Sequence, residues 1–195
     1  MSFRGIVSST FGGSPPAALA VTGERLLRLA PAGRAGIVEG IAQRFDALAR
    51  QHDVDTRLRL CHFLAQAAHE TDGFRTLAEY GGPSYFLRYE GRQDLGNVQA
   101  GDGIRYHGRG IFQLTGRANY RRFGRIVGID LEAEPERAGE PAISLAVAFA
   151  YWRERAINPA ADADDVAAVT RLINGGRNGL AERTRYLEKA KGIWT

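Results

Sequence analysis

The chain is poor in cysteine, in lysine and in long apolar runs, and each shortage excludes a class of protein. A single cysteine, Cys61, rules out an intrachain disulfide and any zinc site built from several cysteines. No apolar stretch reaches the roughly 18 residues that a membrane-spanning helix needs, so stable membrane insertion is not expected. With 195 residues, 44% of them hydrophobic and 25% charged, the chain has the composition of one globular domain.

Nearly all of the positive charge is arginine. Lys189 and Lys191 are the only lysines among 26 basic residues, and the formal net charge is +4. Six arginines fall between Gly101 and Arg125, against the single acid Asp102. Such a stretch is typical either of a solvated face with structural ion pairs or of a surface for an anionic polymer. No known nucleic-acid-binding module accompanies it, so a nucleic-acid partner is not expected.

The first 20 residues differ in composition from the rest of the chain. Residues 1–20 are rich in glycine, serine and proline, which predicts a flexible N-terminal arm, and residues 21–195 are predicted to form a single domain. The arm has one arginine and is interrupted by Gly12-Gly13 and by Pro15-Pro16, so it makes a poor secretory signal peptide. The expectation is a protein made in the cytoplasm without a signal peptide.

Apolar residues recur every three or four positions through much of the chain, which predicts amphipathic helices. One such stripe is formed by Ile37, Ile41, Phe45 and Leu48. Side chains that cap helices and glycines that stop them set the expected bounds. The predicted helices cover 35–50, 56–71 after the cap Asp55, 141–155 and 180–191, with one between the cap Thr115 and the stop Gly128, and one from Asp162 or Asp164 to Asn174.

The segment between Gly73 and Tyr106 contains seven glycines and shows little periodicity. It is predicted to be a long loop region with a small β-hairpin, and loops of this length are usually functional. Alternating strand patterns are scarce in the rest of the chain. The predicted fold class is therefore mainly α.

The helix that is predicted to end near Glu70 carries a polar edge. His62, Gln66, His69 and Glu70 are spaced four, three and one residues apart, so they share one side, opposite the apolar stripe. A glutamate in a cleft shielded from water favours its neutral form, and a general acid must carry a proton. The alternative interpretation of Glu70 is a solvent-facing side chain at a frayed helix end.

Metal-binding and nucleophile patterns are weak. His62 and His69 stand seven residues apart, but no third ligand is near, so hydrogen-bonded histidines are expected, with no metal and no other cofactor. Gly73 stands where a zinc-protease helix needs its second histidine. Cys61 lies in an apolar run and is expected to be a buried, inert thiol.

Four strings in a fixed order carry a family resemblance. They are HETDGF (69–74), YEGR (89–92), RYHGRGIFQLT (105–115) and LINGG (172–176). Together they resemble glycoside hydrolase family 19, the chitinases and related bacteriophage endolysins, over residues 58–189. A compact chain without disulfides is most similar in shape to the phage and prophage endolysins of that family.

The resemblance implies a lysozyme-like fold of two helical lobes with a cleft between them, and an inverting mechanism. Glu70 matches the general acid that protonates the leaving oxygen. Glu90 matches the general base that activates a water, and Thr115 matches the residue that holds this water. Inversion requires two carboxyls about 6.5–9.5 Å apart. A base on a mobile loop can also close over the substrate and exclude bulk water.

Sugar-binding residues are implied by the same resemblance. Gln113 and Asn174 match sugar-binding positions, and their amides offer both donors and acceptors. The turn at Arg109 and Gly110 lets the backbone approach the cleft closely. The predicted substrate-binding residues are His69, Tyr106, Arg109, Gln113, Asn174 and Arg183.

Two features depart from the family pattern or leave it open. Plant members carry an acidic residue shortly after Asn-Gly-Gly, in an ion-pair network around the acid, and here Asn178 stands at that position. Glu79 is a further carboxylate in the loop region. It is either the base in place of Glu90 or a structural partner.

The motifs do not separate chitin from peptidoglycan, because both contain β-1,4-linked N-acetylated sugars. A basic, cysteine-poor chain favours an endo-acting peptidoglycan hydrolase that reaches the cell wall after its release from the cytoplasm, and the arginine stretch favours an anionic wall. Chitin is the alternative substrate, and a monomer is expected.

Three hypotheses of other classes remain. A non-catalytic cell-wall glycan-binding protein is disfavoured by the joint presence of Glu70, Glu90 and Thr115. A lytic transglycosylase needs one acid and no water-activating base. A nucleic-acid-binding protein would use the arginine stretch with Tyr106 and nearby aromatic side chains.

Overall fold

In the computed structural model, residues 18–195 are described, and they form ten α helices and three 3₁₀ helices. The predicted mainly α fold class is confirmed. Within this range, none of the helices combines the length and the apolar character needed to cross a bilayer. The α helices are α1 Gly23–Leu29, α2 Ala35–Gln51, α3 Arg57–Glu70, α4 Pro83–Phe86, α5 Asp102–Arg105, α6 Arg117–Val127, α7 Pro141–Glu154, α8 Asn158–Asp162, α9 Val166–Asn174 and α10 Leu180–Ile193, and the 3₁₀ helices are Leu87–Tyr89, Gln93–Leu95 and Pro135–Gly139.

The predicted N-terminal arm lies mostly in residues 1–17, which are outside the described residues. Its last three residues are held by the folded domain. The Arg25 guanidinium donates hydrogen bonds to the carbonyls of Ala18 and Ala20, at 2.8 and 2.9 Å. The Trp194 indole donates to the same Ala20 carbonyl at 3.2 Å, so the two ends of the described chain meet.

Helix starts follow capping chemistry, although two caps differ from the predicted residues. Thr56, not Asp55, caps α3 by accepting a backbone N–H from the first turn. Asp165, not Asp162 or Asp164, caps α9 in the same way. Each observed cap stands immediately before its helix, where the side-chain oxygen reaches the unpaired N–H groups.

The start of α6 differs from its prediction for a backbone reason. Gly116 precedes the helix with φ of +90°, a conformation that favours glycine, and no side chain caps this end. The Thr115 hydroxyl instead donates a hydrogen bond to the Gln113 carbonyl at 2.9 Å. The predicted stop is confirmed, because Gly128 follows α6 with φ of +73°.

The middle of α3 is enclosed on every side. It packs chiefly against α10, with α8 and α9 beside it. His62 and Gln66 are as fully buried as Phe63 and Leu64. The predicted polar edge of this helix is therefore internal over most of its length, and only its last turn, at His69 and Glu70, is partly accessible.

Two hydrophobic cores define two lobes. The first is built around α1, α2, α3, α10 and one side of α7, with Phe45, Phe63 and Phe149 in mutual ring contact. The second contains Tyr120 and Phe123 from α6. Helix α7 supplies side chains to both, which is why its sequence is apolar nearly all round.

The loop region between the lobes contains short helices rather than the predicted β-hairpin. No β-strand is assigned in residues 18–195, and the only pairings there are isolated bridges of Arg109 with Ala78 and with Leu114. Between Ala78 and Arg109 the chain forms α4, two 3₁₀ helices and α5. The glycines that interrupt this region allow tight turns, and Gly96 and Gly101 both have positive φ.

Candidate active site

A cleft of about 470 Å³ lies where the two cores meet. Its wall includes Phe112, which packs on the first core, and Phe123 and Val147 from the second. The predicted residues Arg109, Gln113 and Thr115 also line it. They follow one another on a segment that is closed by reciprocal backbone hydrogen bonds between Arg109 and Leu114, at 3.1 and 2.8 Å.

The segment from Arg109 to Thr115 is held rigidly by its own polar groups. Gln113 has φ of +49°, and its side-chain amide donates to the Gly110 carbonyl at 3.0 Å. The Arg109 guanidinium donates to the Tyr120 hydroxyl at 2.9 Å. These contacts fix the cleft-facing groups before any ligand arrives, which lowers the entropy that binding would cost.

Glu70 stands at the C-terminal end of α3, and its side chain is 18% exposed. One carboxylate oxygen accepts a hydrogen bond from Arg183 Nη2 at 2.5 Å. Arg183 is itself only 2% exposed, and its other N–H groups bond to the Gln66 side chain and to the Asn178 carbonyl. Arg183 therefore lies behind the carboxylate, which corrects its interpretation as a residue that contacts sugar.

Asn178 enters this arrangement through its backbone. Its carbonyl accepts from Arg183 Nε at 3.0 Å and from the Asn174 side chain at 3.1 Å. The Asn174 side-chain oxygen in turn accepts the Gly176 N–H at 2.8 Å. Asn174 thus folds the turn after α9, and an acidic side chain at position 178 is not needed to hold Arg183.

His69 packs against the other side of the connection between α9 and α10. Its Nδ1 lies 2.7 Å from a carboxylate oxygen of Glu182, and its ring is packed against Gly179, where a Cβ would come within 2.2 Å of the ring. His69 therefore fixes the start of α10, and so the position of Arg183 one residue after Glu182. Its side chain is 20% exposed.

Tyr106 is a core residue. Its side chain is 1% exposed, packs beside Tyr120, and donates its hydroxyl hydrogen to the Glu132 carbonyl at 2.9 Å. No surface of this ring is available to a sugar, which corrects its interpretation as a substrate-binding residue. The family resemblance suggested the cleft for Tyr106, but the residue follows α5 with its ring packed in the second core.

Both carboxylate oxygens of Glu90 bind backbone. They accept N–H groups of Gly101 and Gly103, at 2.7 and 2.8 Å, at the start of α5. Gly103 lacks a Cβ that would stand 2.8 Å from one of these oxygens. Glu90 thus closes the loop region around the N-terminus of α5. Like Glu70 and Glu79, it is not one of the residues that line the 470 Å³ cleft.

Glu79 lies against the segment that carries Gln113. Its backbone N–H donates to the Gly108 carbonyl at 2.9 Å, and one carboxylate oxygen accepts the Gly108 N–H at 3.0 Å. This oxygen and the Gln113 side-chain oxygen both lie within 3.0 Å of the point where a Cβ on Gly108 would stand. Glu79 is therefore the loop carboxylate that adjoins a cleft-lining side chain.

Arg88 holds the second oxygen of Glu79. This oxygen accepts hydrogen bonds from the Arg88 guanidinium and from the Tyr89 hydroxyl, the latter at 2.8 Å. The guanidinium lies over the rings of Tyr85 and Tyr89, at 3.8 and 4.7 Å from their centroids. Sequence reasoning missed Arg88, although its position between two tyrosines was a visible signal of such stacking.

Tyr151 is a cleft-lining residue that the charge of Glu70 influences. Its hydroxyl donates to the Ile173 carbonyl at 2.8 Å. Burial raises the pKa of the Tyr151 phenol, while Arg155 lowers it and the negative charge of Glu70 raises it further. Glu70 and Arg155 therefore both act on one cleft-lining ring. In the sequence Tyr151 was hidden within the apolar helix 141–155.

Half of the six arginines in the stretch are paired with acids within the fold. Arg117 pairs with Asp102 at 2.5 Å and with Glu132 at 3.1 Å. Arg121 shares Glu132, whose pKa these partners lower to about 2. The stretch therefore does not present six free cations, and the interpretation as a solvated face with structural ion pairs describes this part of it.

Within residues 18–195, no group of three or more histidine, cysteine or acidic side chains is placed to hold a metal ion. His62 bonds instead to Asp164, with 2.8 Å between Nε2 and the carboxylate. Cys61 is fully buried, and burial raises the pKa of its thiol to about 11, so it is a poor nucleophile near neutral pH.

A cleft between two helical lobes with carboxylates near it is compatible with glycoside hydrolysis, which uses a pair of Asp or Glu side chains. Residues 36–177 match the family model described as Chitinase class I, that of glycoside hydrolase family 19. The chain is 31% identical over 176 residues to a glycosyl hydrolase family 19 domain-containing protein of Haemophilus influenzae, covering 76% of this chain and 86% of that one. The chain belongs to glycoside hydrolase family 19, and it is a chitinase-like glycoside hydrolase.

Two further relatives extend the comparison. The chain is 38% identical over 122 residues to Endochitinase 1 of Theobroma cacao, covering 57% of this chain but only 38% of the plant protein. The crystal structure of chitinase C from Streptomyces griseus matches its fold with a TM-score of 0.76 at 21% identity, over 94% of this chain and 95% of the other. This agreement confirms the predicted fold.

Proposed function

We propose that the protein is an endo-acting hydrolase of peptidoglycan that works with inversion, with Glu70 as the general acid and Glu79 as the general base. The observation that carries the choice of substrate is the charge of the cleft wall. Three arginines and one glutamate line it. A cationic cleft attracts an anionic glycan such as peptidoglycan, and it gains nothing from uncharged chitin.

Glu70 is proposed as the acid because it combines partial exposure with a fixed orientation. Its neighbour Arg183 is buried and bonded on three sides, so the carboxyl cannot swing freely. One oxygen remains for the leaving glycosidic oxygen. A positioned general acid of this kind typically contributes about 10²–10⁴-fold to the rate.

Glu79 replaces Glu90 as the proposed base because of what each carboxylate touches. Both carboxylates accept backbone N–H groups, Glu90 from α5 and Glu79 from Gly108, but only Glu79 adjoins Gln113 on the cleft wall. A base must reach a water on the face of the sugar opposite the acid. Thr115 and Gln113 line the cleft beside that position, and we propose that they hold the water and the N-acetyl group.

Chitin is the second candidate substrate, because the plant relatives are endochitinases by name. The deciding experiment digests purified peptidoglycan and chitin hexamers with the same enzyme and analyses the products by mass spectrometry and by the anomeric form of the new reducing end. We expect hydrolysed, inverted ends from peptidoglycan, and loss of about 10²–10⁴-fold in rate for Glu70→Gln.

Each other outcome has a definite meaning. Turnover of chitin with no cleavage of peptidoglycan would make the protein a chitinase. Anhydro ends would identify a lytic transglycosylase, and a retained anomer would exclude the inverting pair of carboxyls. Unchanged activity in Glu70→Gln would show that another group is the acid.

A further inference from the structure

The arginines of the cleft wall differ in what they already bind. Arg122 pairs with Glu154, the only acid of this wall, at 2.9 Å. Arg109 donates to the Tyr120 hydroxyl and to the Arg105 carbonyl, both at 2.9 Å. Arg155 is exposed and has no carboxylate partner within residues 18–195. It is the cation of the wall that is open to an anionic ligand.

The position of Arg155 is set by Tyr151. Its guanidinium lies over the Tyr151 ring, 5.0 Å from the centroid. Tyr151 is anchored by its hydrogen bond to the Ile173 carbonyl. Arg155 therefore lines the cleft on a ring that does not move freely.

We propose that Arg155 is a carboxylate-binding residue that recognises the peptide substituents of peptidoglycan. This inference rests on the proposed function. The muramic sugar of peptidoglycan carries a peptide with free carboxylates, and chitin has no charged group. The planar guanidinium binds a carboxylate through two parallel hydrogen bonds, which provides direction as well as charge.

Tyr151 fixes the place of this contact on the cleft wall. The guanidinium lies over the Tyr151 ring, 5.0 Å from its centroid, and both residues line the cleft. A glycan that occupies the cleft would therefore bring its peptide carboxylates close to the N–H donors of Arg155.

The test compares native soluble peptidoglycan strands with the same strands after their carboxylates are converted to neutral amides by carbodiimide coupling. For the wild type we expect kcat/KM to be about tenfold higher on native strands, the effect of one charge-assisted contact. In Arg155→Gln this ratio should fall close to one, and Arg155→Lys should restore part of it. Any packing defect in the variants affects both substrates and cancels in the ratio.

Arg125→Gln is the matched control, because Arg125 is an exposed cation of α6 outside the cleft wall. It should keep the wild-type ratio. An equal fall in Arg125→Gln would assign the effect to overall charge and overturn the proposal, as would an unchanged ratio in Arg155→Gln. Failure of the wild type to cleave either form of peptidoglycan would instead refute the proposed function, and this inference with it.

Discussion

At the scale of single residues, two glutamates of one loop region differ in how near they lie to the cleft wall. The carboxylate of Glu79 adjoins a cleft-lining amide, and that of Glu90 binds the backbone at the start of α5. Chain spacing alone makes both equally suitable as a base. Their contacts separate them, and the separation leads to different expectations for the same chemical change.

Glu79→Gln should lose about 10²–10⁴-fold in kcat, because it removes the proton acceptor and keeps the shape. It should also lower Tm, because it weakens the hydrogen bonds that Glu79 accepts from Arg88, Tyr89 and Gly108. Glu90→Gln should lower the free energy of unfolding by about 1 kcal/mol, because it weakens two charge-assisted hydrogen bonds, and it should stay active within a few-fold. Steady-state kinetics and thermal melting of both variants measure this. An inactive, fully stable Glu90→Gln beside an active Glu79→Gln would restore Glu90 as the base.

Arg183 offers a second residue-scale prediction, because its planar fork meets three acceptors at once. Arg183→Lys keeps the charge but cannot satisfy Gln66, Glu70 and Asn178 together, so we expect a loss of about 1–3 kcal/mol in stability and at least tenfold in kcat. Arg185→Lys, an exposed change on the same helix, is the control and should alter neither. A variant with wild-type kcat would show that Arg183 does not position the acid.

At the scale of helices, the crossing of α2 and α7 depends on a glycine. A Cβ on Gly40 would lie 2.6 Å from the Cβ of Pro141, whereas a Cβ on Gly36, one turn earlier in α2, would meet nothing within 4 Å. Gly40→Ala should therefore destabilise the protein by about 1–3 kcal/mol, because the helices must separate. Gly36→Ala should be neutral or add up to about 1 kcal/mol. Denaturant unfolding of the two variants measures the difference, and equal effects would contradict it.

The same scale shows which elements can be predicted from the sequence. Helix α7 was predicted to within one residue, because Pro141 marks its first turn and its apolar pattern is continuous. The polar edge of α3 was misplaced, because no periodicity within α3 reveals that α9 and α10 cover it. Predicting the burial of this edge requires knowledge of contacts between distant parts of the chain.

The residues of the candidate site also differ in whether local sequence or distant contacts place them. Gln113 and Thr115 both line the cleft, since they belong to one short, internally bonded segment, and their roles toward water and sugar stay predictions. Tyr106 and Arg183 are buried by partners 26 and 117 residues away along the chain, which no local motif encodes. The choice between Glu79 and Glu90 required the structure for the same reason.

At the scale of the whole molecule, buried histidines link stability to pH. Burial is the largest cause that lowers the pKa of His52, of His62 and of His107 below the usual 6.5. These side chains stay neutral in the folded protein but bind protons in the unfolded chain below pH 6.5. The unfolded state then holds more protons, so stability is complete above about pH 6.5 and falls as the pH drops below it.

We therefore expect Tm to decrease between pH 7 and pH 5. The free energy of unfolding should fall by up to about 1.4 kcal/mol per pH unit for each histidine that remains neutral in the folded protein. His62→Gln removes one of these groups and should make the slope shallower, even if its Tm is lower throughout. Melting curves across this range provide the measurement. An unchanged slope in His62→Gln would exclude His62 as a contributor.

Helix α7 belongs to both cores, and this has a consequence for how the molecule comes apart. If one lobe unfolds, the α7 side chains that packed in it lose their partners. Because the other lobe also packs on α7, neither lobe keeps its packing alone. The enzyme should melt in one cooperative event despite its bipartite shape, with equal calorimetric and van't Hoff enthalpies. A half-folded species with one intact wall of the cleft would then never accumulate.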